Sequence, residues 1–212
     1  YRRAIDTSPE LASGLALSVG TLQYRAGKLD DAAAHARLAL GKPTTAAGAH
    51  LLLARIALQR GNPAEAEREA GLAAADESRR REAAVVVARA RVAQGRLPEA
   101  LQRLDALKTD PAPLLDLEAT RGDTLARMNR PEEAEQAFLA EVKAFPNNRE
   151  AYTRLAILYV TLDRETDAER TLEQMYRANP SRSSAALAAE TWLAVEHDRA
   201  AARWRQRASA GR

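Results

Sequence analysis

Along residues 149–182 the apolar positions fall into two helical runs separated by one polar break. In REAYTRLAILYVTL, Tyr152, Leu155, Ala156 and Tyr159 recur at the three- and four-residue spacing of a single helix face. Asp163 marks a turn. TDAERTLEQMYRA then sets Ala168, Leu172, Met175 and Tyr176 on one face of a second helix, closed by Asn179 and Pro180. The pattern predicts two helices of about a dozen residues joined by a tight turn, a helical hairpin. A lone hairpin leaves its apolar stripe in water, so several copies must stack.

The copies are legible. Ala32, Ala66, Ala100, Ala134, Ala168 and Ala202 stand thirty-four residues apart, and five of them follow an acid: Asp31, Glu65, Glu99, Glu133 and Asp167. Five residues before each alanine comes a turn-type or polar residue, namely Gly27, Gly61, Gly95, Asn129, Asp163 and, as the weakest match, His197. Three aligned columns make the chain a repeat array, whose core grows lengthwise as each copy packs on its neighbours. Abundant alanine and few aromatic residues suit thin layers of close-packed helices rather than a β-rich core.

These columns resemble the tetratricopeptide repeat family. That family places a small residue where the two helices touch, glycine at the turn, alanine early in the second helix, then an apolar or aromatic filler and a closing proline. The small contact residue is Gly20, Ala54, Ala88, Gly122 and Ala156; a larger one would force the helix axes apart. The filler is Ala36, Ala70, Leu104, Phe138 and Leu172. Pro146 and Pro180 match the closing slot, Pro43 and Pro111 sit one residue early, and Pro63, Pro98 and Pro131 begin second helices, where a missing N–H costs nothing.

The resemblance implies an all-α, right-handed solenoid of stacked helix–turn–helix hairpins, expected as one array with repeats at 13–46, 47–80, 81–114, 115–148 and 149–182. Residues 1–12, with Tyr1, Ala4, Ile5 and Pro9, match the second helix of a repeat whose first half lies upstream in a longer protein. Residues 183–212 read as a terminal cap, because Glu190 replaces the small contact residue and Gln206 the filler. In the 115–148 repeat Glu118 and Arg121 take slots that are usually apolar. Two readings stand open there: a rotated helix packed through Leu114, Leu117 and Leu125, or an i,i+3 ion pair at the surface.

Charge changes the picture only at one end. The formal net charge is +3, and from residue 181 onward six arginines (Arg182, Arg199, Arg203, Arg205, Arg207, Arg212) face Glu190, Glu196 and Asp198. A basic tail can bind nucleic acid or acidic lipid. A last helix with one uncovered face also needs polar side chains to stay soluble. No basic stripe runs along the array, which favours the second reading and disfavours nucleic acid as the partner. Trp192 and Trp204 are expected to pack together in the final hairpin; an exposed Trp204 among arginines would instead mark a docking patch.

No chemistry stands out. There is no cysteine, so no disulfide, thiolate metal site or cysteine nucleophile. His35, His50 and His197 form no HExxH or i,i+4 pair, and the glycines form no phosphate-binding run. Ser183 and Ser184 lie near a helix start and read as capping residues. Glu132, Glu133 and Glu135 occupy a helix's first turns, where the dipole favours anions. No apolar run reaches the roughly 20 residues of a membrane span. The chain reads as a non-enzyme without cofactor or metal.

Function then falls to the surface. In the family the first helices line a concave side, and carried over, three rows face inward at ten, six and three residues before each turn. The first reads Leu17, Leu51, Val85, Ala119, Thr153, Leu187; the second Thr21, Arg55, Arg89, Asp123, Ile157, Thr191; the third Tyr24, Leu58, Val92, Ala126, Val160, Ala194. The expected partner site comprises Leu17, Thr21, Tyr24, Leu51, Arg55, Leu58, Val85, Arg89, Val92, Asp123 and Ile157. It would hold an acidic or apolar segment of another protein, with Arg55 and Arg89 clamping carboxylates. Against this, the two arginines could lie over neighbouring helices and meet acids such as Glu82. The Lys and Asn clamp of the family's chaperone-tail binders is absent from these rows. A second functional reading is a regulatory or substrate-presenting arm of a larger enzyme, or of an envelope or exopolysaccharide export or assembly machine. Arginine over lysine and abundant alanine suggest a GC-rich bacterial source, with cytoplasm and periplasm both open.

Overall fold

A computed structural model describes residues 9–110 and 112–210. Tyr1, Ala4, Ile5, Pro111 and Arg212 lie outside them. Twelve α-helices and no strand occur among the described residues, in two compact units, residues 1–114 and 115–212. The first unit contains α1 (Pro9–Arg25), α2 (Leu29–Ala39), α3 (Pro43–Gln59), α4 (Pro63–Ala73), α5 (Arg80–Ala93) and α6 (Leu97–Leu107). The second contains α7 (Leu117–Arg127), α8 (Pro131–Ala144), α9 (Arg149–Thr161), α10 (Glu165–Ala178), α11 (Arg182–Ala194) and α12 (Asp198–Ala210).

Consecutive helices pair as hairpins, and within each unit the hairpins stack. Second helices pack on the next hairpin (α2 on α3, α4 on α5, α8 on α9, α10 on α11), while first helices pack side by side as α1–α3–α5 and α7–α9–α11. The fold is an all-α solenoid of helical hairpins.

Each hairpin turn has one residue in the left-handed region: Gly27, Gly61 and Gly95 at φ 75–76°, and Asn129 and Asp163 at 58°. At each turn the following N–H bonds back five residues, as in Lys28 to the Gln23 carbonyl (2.9 Å) and Arg164 to the Tyr159 carbonyl (2.8 Å). This is the Schellman closure that favours glycine or asparagine. The last turn differs from expectation. Its left-handed residue is Glu196 (φ 62°), and His197 donates its N–H to the Trp192 carbonyl at 2.9 Å. The final hairpin is therefore set one residue earlier than a strict thirty-four-residue period.

That shift corrects three expectations. Ala32, Ala66, Ala100, Ala134 and Ala168 are fully buried, but in the last hairpin the buried alanine is Ala201, and Ala202 is exposed. The small contact slot holds Ala189, which is buried, and not Glu190, which is exposed. The filler slot falls on Arg205 rather than Gln206; both are exposed, so this helix does turn a polar side outward.

The other columns stand where their chemistry puts them. Gly20, Ala54, Ala88, Gly122 and Ala156 are buried at helix contacts. At Gly122 a Cβ would come within 2.8 Å of the Phe138 ring, so the large filler and the absent side chain are one fit. Pro63 and Pro131 open second helices at their first residue and Pro98 at its second, while Pro146 and Pro180 follow helix ends. Pro43, expected to close a repeat, instead opens α3, where its missing N–H is also harmless. The cap of α11 is Ser181, whose hydroxyl accepts from the Ser184 N–H at 3.1 Å; Ser184 itself is buried.

The start of α7 is the irregular point. Its flanking residue Asp116 is left-handed (φ 68°) and gives no side-chain cap. The cap comes from α8. The Glu141 carboxylate, 1% exposed, accepts from the backbone N–H groups of Asp116 (2.8 Å), Glu118 (3.2 Å) and Ala119 (3.3 Å), and from Asn148 Nδ2 (2.8 Å). Asn148 also donates to Asp116 Oδ1 at 3.0 Å. Burial pushes the Glu141 carboxyl above its ordinary range despite these donors. Glu118 and Arg121 form the i,i+3 pair at 3.8 Å, while Leu117 and Leu125 are buried and Leu114 half-buried, so features of both expected readings coexist.

Candidate partner-binding face

The rows expected to face inward lie on α1, α3 and α5 in the first unit, and on α7, α9 and α11 in the second. Side-by-side packing of these first helices sets Thr21, Arg55 and Arg89 at matched positions on adjacent helices. Leu17, Thr21, Tyr24, Arg55, Leu58 and Arg89 are half-buried, with part of each side chain reaching solvent. Leu51, Val85 and Val92 are each only 3% exposed, and Leu51 packs with Ala54, Ala70 and Val86. They build the wall of the array, so the accessible apolar surface of this face comes from Leu17, Tyr24 and Leu58.

Arg55 is the distinctive group. It makes no hydrogen bond, ion pair or ring contact among the described residues. Glu82 pairs with Arg79, just ahead of its own helix, at 3.1 Å. Thr21 donates its hydroxyl to the Leu17 carbonyl at 2.8 Å, as helix-interior threonines commonly do. Arg55 is thus a half-buried residue whose charge is not neutralised by any described side chain, on the helix between those of Thr21 and Arg89.

The same row in the second unit is electrostatically closed. Asp123 meets Arg154 at 3.0 Å and Arg127 at 3.4 Å, and Arg154 reaches Glu150 at 2.6 Å. Nearby acids hold the Arg154 guanidinium above its ordinary range, outweighing burial, which is the largest single influence and acts the other way. Ile157 is exposed at 36% beside this satisfied cluster.

Between hairpins runs a second set of contacts that the sequence pattern did not single out. Six residues after the left-handed residue, Glu67, Glu135 and Glu169 each accept from the residue four before the next left-handed one. Arg91 Nε reaches Glu67 at 3.1 Å, Tyr159 Oη reaches Glu135 at 2.9 Å, and Trp192 Nε1 reaches Glu169 at 2.9 Å. Arg96 and Arg164 add a second donor to Glu67 (3.3 Å) and Glu135 (2.8 Å). Arg164 holds the Glu135 carboxyl below its usual range, and burial together with Glu135 pushes the Tyr159 phenol up to about 12. Trp204 Nε1 also donates to Glu169, at 3.3 Å. The two tryptophans are 3% and 2% exposed and share a carboxylate, which excludes an exposed Trp204 docking patch. Glu135, expected to serve the helix dipole, is thus a joint between hairpins.

The three histidines lie apart. His35 meets the Asp31 carbonyl, His50 meets Glu69 and His197 lies by Trp192 and Glu165, each in a different hairpin. Among the described residues no group of His, Cys, Asp and Glu could hold a metal ion. No helix described is long and apolar enough to cross a membrane.

Stacked hairpins, small contact residues and left-handed turns define an α-helical repeat scaffold. Residues 17–82 and 120–183, more than half of the chain, match the tetratricopeptide repeat model, and the chain belongs to that family. A thermophilic repeat protein of the same family from Thermus thermophilus is similar in structure, with TM-score 0.73 and 23% identity, over 85% of this chain and 99% of that one. A tetratricopeptide repeat protein from Parabacteroides merdae ATCC 43184 superposes with TM-score 0.65 and 19% identity, over 99% and 83%. PilW, described as a widely conserved type IV pilus biogenesis factor, does so with TM-score 0.63 and 16% identity, over 94% and 93%. At these identities the likeness is one of fold. No curated protein matches the sequence. The fold is that of a protein-interaction scaffold.

Proposed function

We propose that the first unit holds a segment of a partner protein along the face of α1, α3 and α5, with Arg55 receiving a partner carboxylate and Leu17, Tyr24 and Leu58 contacting its apolar side chains. The observation that carries this is Arg55, a half-buried residue whose guanidinium has no partner among the described residues. Such a guanidinium gains a charge-assisted hydrogen bond from a carboxylate ligand without giving up an internal one. Arg89, at the matched position on the next helix, extends the basic line along the same face. The role is binding, not catalysis.

The test is fluorescence anisotropy of the full chain with acidic–aliphatic peptides of alternating Glu and Leu, against peptides with Lys in place of Glu. The acidic series is expected to bind, and Arg55→Glu, alone or with Arg89→Glu, to weaken it at least about tenfold at unchanged far-ultraviolet dichroism. Equal binding of the two series, or by wild type and Arg55→Glu, refutes the assignment.

A further inference from the structure

The last helix carries a charged surface that the groove does not use. On α12, Arg199, Arg203 and Arg205 are exposed. Arg203 only approaches Glu169, at 3.8 Å with its side chain 65% exposed, and Arg199 and Arg205 make no contact of any polar kind among the described residues. Arg207 is committed elsewhere: its guanidinium stacks 3.9 Å from the Tyr176 ring centre and pairs with Glu173. Asp198 is the single acid on the helix. Arg199, Arg203 and Arg207 follow at four-residue spacing, where like charges weaken a helix. For Arg199 nothing within the described residues offsets that cost.

A further hairpin of the same kind would have to cover these arginines. Ala202 stands six residues after Glu196, the slot where Glu67, Glu135 and Glu169 supply the carboxylate that receives the next hairpin's donor. That acceptor is missing here, as it is at Ala33 and Leu101, but here arginines surround its place.

We propose that the exposed side of α12 binds an anionic phospholipid surface through Arg199, Arg203 and Arg205. Guanidinium forks match phosphate oxygens in a two-pronged geometry. The neighbouring exposed side chains, Ala202, Gln206 and Ser209, are small or polar, so a peptide finds no anchoring pocket. Single-stranded nucleic acid finds no ring to stack on, because Trp192 and Trp204 are buried. A bilayer presents many laterally mobile phosphates to a shallow basic face, and attraction of this kind accumulates with each basic residue near the surface.

Co-sedimentation of the full chain with vesicles tests this. Binding is expected to an equal mixture of phosphatidylglycerol and phosphatidylcholine, not to phosphatidylcholine alone, and to fall away at high salt. Arg199→Glu/Arg203→Glu/Arg205→Glu is expected to lower partition by on the order of a hundredfold. Its tryptophan emission should stay unchanged, because Trp204 reports that α12 remains packed. Should the reversal disturb that emission, the Arg→Gln triple variant replaces it, with the same direction expected. No preference for anionic vesicles, or equal binding by a folded triple variant, overturns the proposal. Binding to duplex DNA or polyglutamate without vesicle binding overturns it as well, in favour of those partners.

Discussion

Removing the Glu141 carboxylate tests the account of how the second unit is held together. Glu141 stands twelve residues after Asn129, in the core column that Ala39, Ala73 and Met175 fill with apolar atoms. Its two oxygens satisfy three backbone N–H groups at the start of α7 and one amide of Asn148. In Glu141→Gln the carboxamide oxygen can keep Asp116 N–H and Asn148. Its NH2 then faces the N–H groups of Glu118 and Ala119, donor against donor. Those two contacts are the long ones, so the loss is expected at about 2 kcal/mol, with about 3–5 kcal/mol for Glu141→Ala, which abandons all four donors. Urea unfolding followed by tryptophan emission reads this well, because Trp192 and Trp204 both lie in the second unit. The pH dependence supplies a second readout. A carboxyl whose folded pKa is raised takes up its proton more readily in the folded state. Its contribution is fully present below the ordinary glutamate value and is lost as pH rises through the raised one. The gap between wild type and Glu141→Gln should therefore widen as pH is lowered across that window. Losses under about 0.5 kcal/mol for both variants would refute the capping role.

Two further outcomes are expected. Ala201→Leu should cost about 1–3 kcal/mol by overpacking the last hairpin, and Ala202→Leu less than about 0.5 kcal/mol; thermal melts showing the reverse would restore the strict thirty-four-residue register. In an alkaline absorbance titration Tyr159 should ionise last, near pH 12, and Tyr159→Phe should remove that final step. Its pKa is raised, so the stability it contributes is whole below about pH 10 and lost as pH rises through 12; full ionisation of every tyrosine by about pH 10.5 would contradict it.

The hairpins, their contact glycines and alanines and five of six turns were legible because each rests on a short-range rule repeated at fixed spacing. The last turn was not. Glu196 and His197 are equally unlike the glycine, asparagine or aspartate that elsewhere mark the left-handed position, and the run Ala200–Ala201–Ala202 lets two registers satisfy the alanine column. Glu141 escaped for another reason: an acid in a core column reads as a surface residue unless the orphaned amides of a shortened neighbouring helix are known. On the candidate face, Arg55 is singled out by its row alone. The burial of Leu51, Val85 and Val92 was not, since row membership fixes a residue's position on its helix but not how closely the next helix covers it.

The carboxylates at Glu67, Glu135 and Glu169 accept from a guanidinium, a phenol and an indole in turn. Such a joint asks only for some N–H or O–H at the right height and is indifferent to the group that carries it. Each of these three seams can therefore drift on its donor side while the acceptor stays fixed, leaving the exposed faces of the hairpins it joins free to diversify without the stack coming apart.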